Sequence, residues 1–228
     1  PYNMSQNFSI LFPAVIATLQ GQALDNFGQA MTAIGDVSGD GKGDLAVSSP
    51  NSSLSAPTVA NPIVGAGKVA VFESGTWTII REFVSSSAAS AAAFGGRLES
   101  IHDLDGDGFD DLIVTSPLAP SPSGFLSAGR VDIYSGRVAQ TIGNYTAAVL
   151  LGDSYGFSVA NAGDIDGDGV PDLLVGAPGD DTAGPEFGRA HVLSGATRTS
   201  IFLPPITGSS TGSEFGFSVN GIGDLNAD

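Results

Sequence analysis

"YGFSVANAGDIDGDGVPDLLVGAP" (155–178) joins three unlike pieces: an aromatic-Gly start, four aspartates within nine positions, and an apolar finish. The same three pieces recur in the same order from Phe94, "FGGRLESIHDLDGDGFDDLIVTSP", and from Phe27, "FGQAMTAIGDVSGDGKGDLAVSSP". A shorter copy, "FGFSVNGIGDLNAD", starts at Phe215. The starts lie 67, 61 and 60 residues apart. A period of this size is the mark of a repeat architecture.

Each unit contains four strand-like pieces. In the third unit they are "FSVANAG", "DLLVGAP", "RAHVLSG" and "SIFLPPITG"; in the second, "GRLESIH", "DLIVTSP", "GRVDIYSG" and "TAAVLLG". The first unit supplies "GKVAVFESG" and "TWTIIREFV" as its third and fourth pieces. No segment has convincing helical periodicity, and "SSSAASAAA" (85–93) reads as a loop. The expected fold is all-β, with propeller-type blades of four antiparallel strands. The blades are expected over 27–93, 94–154 and 155–214, with a truncated blade at 215–228 and the end strand of a preceding blade within 1–26. "PAVIATLQG" (13–21) reads as that strand, matching a fourth strand without earlier partners, and the apolar run "ILFPAVIATL" (10–19) reads as strand rather than membrane span. Three full blades fall short of the four to eight of a closed propeller. The chain is therefore expected to be an incomplete propeller or repeat array, either part of a longer protein or completed by other copies through its exposed edges.

The acidic run carries the chemistry. Its odd positions are Asp164, Asp166, Asp168, Val170 and Asp172 in the third unit, Asp103, Asp105, Asp107, Phe109 and Asp111 in the second, and Asp36, Ser38, Asp40, Lys42 and Asp44 in the first. Oxygens at alternate positions can turn inward around an ion, and position seven can offer its carbonyl whatever its side chain. Glycine at position six (Gly41, Gly108, Gly169) permits the sharp turn. An all-oxygen set of this kind suits calcium, with its six to eight flexible contacts, better than magnesium. Asp224, Asn226 and Asp228 form a fourth, partial set. An EF-hand is excluded, because position twelve is Val47, Val114 or Val175 inside an apolar strand rather than glutamate. The first set should bind most weakly, having Ser38 for an aspartate and Lys42 close by. About three complete calcium sites are expected.

The totals agree. The net charge is −16, and 14 of the 24 acidic residues lie in the four acidic segments. Without a basic patch to release counterions, nucleic acid and anionic membrane surfaces are excluded as partners. Glycine (32) and proline (13) supply many tight turns. There is no cysteine, hence no disulfide or thiolate chemistry. No apolar run reaches the roughly 20 residues of a membrane span. Pro1 is not preceded by a basic region, so a signal peptide is expected to be absent or already removed.

The aromatic-Gly pairs, the acidic loops and "VGAP" (175–178) resemble the FG-GAP repeats of integrin α-subunit β-propellers. The first two units depart at the last element, with "VSSP" and "VTSP". The resemblance covers the chain from about residue 14. It implies a calcium-binding, extracellular or cell-surface propeller that recognises a protein or glycan ligand, with no catalytic role. A fibre or surface-layer subunit built by head-to-tail blade completion, and an accessory propeller of a hydrolase, are the alternative readings.

Other residues point to structure. His102 abuts Asp103 at a place filled by Gly35 and Gly163 in the sister units, and reads as solvent-facing. His191 alternates with apolar residues and reads as an outward strand residue. Phe27, Phe94, Tyr155 and Phe215 read as inter-blade core, and Trp77 as packing between sheets. Asn3, Asn7, Asn51 and Asn144 head Asn-x-Ser/Thr sequons. The Ser/Pro-rich stretches 48–62 and 116–125 read as exposed loops suited to O-glycosylation.

Overall fold

The computed structural model describes residues 7–12, 14–53, 65–85, 92–121, 124, 127–138, 140–146 and 153–223. Three four-stranded antiparallel meanders follow one another along the chain. The first is β3 (Met31–Ile34), β4 (Asp44–Ser49), β5 (Lys68–Phe72) and β6 (Ile79–Val84). The second is β7 (Leu98–Ile101), β8 (Asp111–Thr115), β9 (Arg130–Tyr134) and β10 (Thr141–Thr146). The third is β11 (Ser158–Gly163), β12 (Asp172–Ala177), β13 (Arg189–Leu193) and β14 (Ile206–Thr207). A hairpin of β1 (Asn7–Phe12) and β2 (Ala14–Gln20) precedes them. There is no helix among the described residues, and hence none long and apolar enough to cross a membrane. The fold is all-β, with propeller-type blades.

The second strands are apolar on both faces because each central sheet packs against two neighbours. Leu112 and Val114 join Ile34, Val69, Val71 and Phe83 in the core between the first and second blades. Ile113, between them in sequence, faces the other way into a core with Leu173, Val175 and Leu193 of the third blade. Period-two alternation thus serves two cores at once. A third core joins Leu19 of β2 to Phe27, Val47, Ala70 and Phe72, with Trp77 packed against it. The first strands lie side by side, β3 beside β7 and β7 beside β11.

The seam between blades is made of main chain. The glycine before each third strand adopts a left-handed φ, and a Cβ there would collide with the carbonyl oxygen of the next blade's aromatic: Gly67 with Phe94, Gly129 with Tyr155, Gly188 with Phe215. Tyr155 N–H donates to Ala128 O (3.1 Å) and Phe215 N–H to Phe187 O (3.1 Å) across two of these seams. Phe27, Phe94 and Tyr155 are buried as expected, whereas Phe215 remains 40% exposed.

Four expectations change. The strand at 13–21 has an earlier partner: β1 pairs with β2 in antiparallel register, Phe8 opposite Leu19. The fourth strand of the second blade already begins at Thr141 and is described to Thr146, the first residue of "TAAVLLG", whose remainder (147–152) lies outside the described residues. A tight turn, in which Ser135 N–H donates to Gln140 O (3.0 Å), returns the chain at once. In "SIFLPPITG" only Ile206 and Thr207 form a strand, since Pro204 and Pro205 have no N–H to give the ladder. His191 is half-buried, its ring edge-on to Tyr155 at 5.2 Å. The interior of "SSSAASAAA" lies outside the described residues.

Candidate cation sites in the blade loops

Each acidic run spans the turn from a blade's first strand to its second, and position nine is the first residue of the second strand: Asp44, Asp111 or Asp172. These three side chains are at most 2% exposed. Position-nine Oδ2 accepts amides from the start of its own loop. Val37 and Ser38 donate to Asp44 (3.1 and 2.9 Å), Leu104 to Asp111 (2.7 Å), and Ile165 and Asp166 to Asp172 (2.7 and 3.3 Å). Oδ1 accepts an amide from just beyond the third strand: Ser74, Gly136 or Gly195, each at 3.0 Å. Position nine therefore joins the loop to the neighbouring turn of the same blade end. Burial pushes the Asp111 carboxyl up to about 6, against the lowering effect of its two amide donors.

Position one closes the loop. Asp103 Oδ1 accepts the amides of Gly106 (2.7 Å) and Asp107 (2.9 Å), and Oδ2 that of Gly108 (2.8 Å). Asp164 accepts those of Gly167, Asp168 and Gly169, and Asp36 those of Gly39, Asp40 and Gly41, in the same pattern. Desolvation raises the Asp36 and Asp103 carboxyls, but the converging amides outweigh it and hold both below the ordinary range. Glycines at positions four and six have φ between 76° and 89° in all three loops, with open space where a Cβ would point. Their requirement is conformational, and it holds at position four as well as six.

The loops differ in what they bring together. Asp103, Asp105 and Asp111 each place a carboxylate oxygen within 4.8 Å of the others, and so do Asp164, Asp166 and Asp172. The position-five residues Asp107 and Asp168 are outside these groups; Asp107 accepts from Ser135 Oγ (3.1 Å) and Asp168 from the Val170 amide (2.9 Å). Phe109, at position seven, packs on the core between blades one and two, under the Arg137 guanidinium at 5.7 Å. In the first loop no such group forms among the described residues. Asp40 is paired with Lys42 Nζ (2.9 Å), and Ser38 Oγ donates to Asp36 Oδ1 (3.2 Å). Asp224, Asn226 and Asp228 lie outside the described residues. Two groups of hard carboxylate oxygens, with no nitrogen or sulfur, match an oxygen-seeking divalent cation such as calcium.

His102 turns from Asp103 to Asp110, with Nδ1 2.8 Å from Oδ1, and this contact raises its pKa. Of the sequon asparagines, Asn51 is an exposed turn residue and Asn144 is exposed on β10. Asn7 begins β1, and Asn3 lies outside the described residues. The third-strand exit that anchors position nine was not singled out from sequence. Its signal is the Ser-Gly pair that follows each third strand, at 74–75, 135–136 and 194–195.

Comparison with known proteins agrees with this geometry. The FG-GAP repeat family profile matches residues 27–72, and that of the FG-GAP-like repeat matches 103–175. Integrin alpha-4 of Xenopus laevis is 30% identical over 182 residues, 75% of this chain and 16% of the relative. Integrin alpha-V of Gallus gallus is 38% identical over 99 residues, 40% of this chain and 9% of the relative. Integrin alpha-IIb of Homo sapiens is 30% identical over 169 residues, 71% and 16%. The chain thus spans about a sixth or less of these relatives' length. A rhamnogalacturonan lyase of Bacillus licheniformis superposes with a TM-score of 0.42 and 11% identity over 77% of this chain and 33% of the lyase, too loosely to bear on its chemistry. With the aromatic-Gly seams, the acidic loops and the four-stranded blades in register, this chain belongs to the FG-GAP repeat, integrin α-subunit-like β-propeller family.

Proposed function

We propose that the chain is a non-enzymatic, calcium-stabilised segment of an extracellular or cell-surface β-propeller with a structural or adhesive role. The observation that carries this reading is the three-carboxylate group at the same loop position in two successive blades. Asp103, Asp105 and Asp111 would hold one ion and Asp164, Asp166 and Asp172 another, with Asp107, Asp168 and the carbonyls of Phe109 and Val170 as further oxygens. Calcium there offsets the repulsion of crowded carboxylates and fixes the first turn of each blade. Both histidines are engaged in contacts that need no substrate, His102 with Asp110 and His191 with Tyr155.

Partner recognition is assigned to the opposite blade end, where a recess of about 670 Å³ is lined by Gln22, Leu24, Asn51, Ser52 and Leu118 among others. A protein or glycan ligand suits it, and Asn51 at its rim is a candidate glycan carrier. One observation favours a second reading, assembly from copies of this chain: Ile206 on β14, and Phe215 and Phe217 after it, are 40–56% exposed, whereas Phe94 and Tyr155, the counterparts of Phe215, are buried. Light scattering coupled to size-exclusion separates the two readings, since self-assembly gives concentration-dependent mass.

Thermal melting in millimolar calcium and in excess EGTA tests the calcium reading. Two sites held at about 100 times Kd add about 5 kcal/mol, or about 10–20 °C in Tm for a chain of this size. Superimposable melting curves would overturn it.

A further inference from the structure

We propose that in the first blade the Lys42 ammonium takes the place of the divalent ion, so that this loop closes without metal while the second and third loops require it. The inference rests on the calcium reading of those two loops and concerns what the first loop does instead.

All three loops share one frame. Position one accepts the same three amides in each, and position nine is buried and joined to the third-strand exit in each. The backbone that would cradle an ion is therefore present in the first loop too, and the difference lies in its charges. The second and third loops each carry four aspartates at odd positions; the first carries Asp36, Asp40 and Asp44 together with Lys42. Lys42 Nζ lies 2.9 Å from Asp40 Oδ2, and Asp40 Oδ1 also accepts the Lys42 amide (2.9 Å). The amide contact recurs at Asp107 and Asp168, so what sets the first loop apart is the ammonium on the second oxygen of its position-five carboxylate.

Position three agrees. Where Asp105 and Asp166 bring a third carboxylate to the group, Ser38 donates its hydroxyl to Asp36. A hydrogen-bond donor at that place lowers the repulsion that a metal would otherwise have to neutralise. The Lys42 pKa is raised by Asp40 first, and also by Glu73 and Asp36, so the ammonium is held by two of the loop's acids and one from the adjoining turn. A monovalent cation covalently carried by the loop needs no free-ion concentration. A divalent ion entering there must displace it and then bind with one carboxylate fewer, and lower ligand charge weakens calcium affinity.

The position-six glycine amides report each loop separately, because Gly41, Gly108 and Gly169 each donate to their own position-one carboxylate (2.6, 2.8 and 2.9 Å). In an NMR amide-shift titration of the intact chain with calcium, Gly108 and Gly169 are expected to move and Gly41 to stay. The double variant Ser38→Asp, Lys42→Ser should make Gly41 move, with a midpoint within about tenfold of that of Gly108. Movement of Gly41 in the unaltered chain at the Gly108 midpoint overturns this inference alone. A silent Gly41 in the double variant also overturns it, since Lys42 and Ser38 would not be the cause. Silence of all three glycines overturns the calcium reading and this inference together.

Discussion

The two ends of a blade handle buried acid in opposite ways. At the loop end, every position-nine aspartate is nearly inaccessible, yet both its oxygens accept main-chain amides. At the other end, where the second blade passes into the third, Asp153 is 1% exposed and neither carboxylate oxygen has a hydrogen-bond partner. Asp180, 2% exposed, lies nearby with Arg189 Nε 3.5 Å from it, too far for a hydrogen bond. The Asp181 amide draws the Asp153 pKa slightly down without reaching hydrogen-bond geometry. Burial, then the charges of Asp180 and Asp181, push the Asp153 carboxyl up to about 7. Charge is tolerated in the interior where amides converge on it; where they do not, the proton stays.

The comparison breaks most severely at position nine. Asp172→Ala strips the partners from the Ile165 and Gly195 amides. With buried donors left unpaired, a loss of about 3 kcal/mol is expected in chemical denaturation with calcium present. A loss below about 1 kcal/mol would show that the buried carboxylate does not hold the blade end together.

At Asp153 the sign is reversed. Its folded pKa lies above the ordinary 3.8, so it costs nothing below about pH 4 and progressively more as pH rises through 7. Each pH unit in that window costs at most about 1.4 kcal/mol. Asp153→Asn, neutral throughout, should exceed the parent chain's Tm by a margin that widens from pH 5 to pH 7, both in excess calcium. An unchanged slope of Tm against pH would remove Asp153 from the account.

The smallest expected effect tests the frame that lets amides converge. Gly108→Ala meets open space but must hold φ near 89°. The cost should be about 1–2 kcal/mol, together with weaker calcium binding in calorimetry. A neutral variant would mean the loop tolerates another path.

The loop end was legible in sequence because its chemistry is local: alternating aspartates and two glycines lie within nine residues, and the apolar strand follows directly. The Asp153 corner was not, since its members come from separate segments and burial leaves no mark on any one of them. Edge strands were misread for a related reason. The second blade's outer strand starts early, at Thr141, because the tight turn after β9 returns the chain to a free ladder before the apolar residues are reached. The run 10–19 is shared between two strands, β1 ending at Phe12 and β2 beginning at Ala14, which the apolar pattern alone concealed.

The glycine before each third strand has a consequence for how such chains grow. Because the contact made there is carbonyl against α-carbon, the join reads no surface side chain. Any unit with a glycine-led third strand can offer this main-chain contact to a unit that opens with an aromatic-Gly pair, while the apolar side chains packed between blades still have to match. The main-chain part of the join can then persist when a blade's loops or surface are altered, because it depends on none of their side chains.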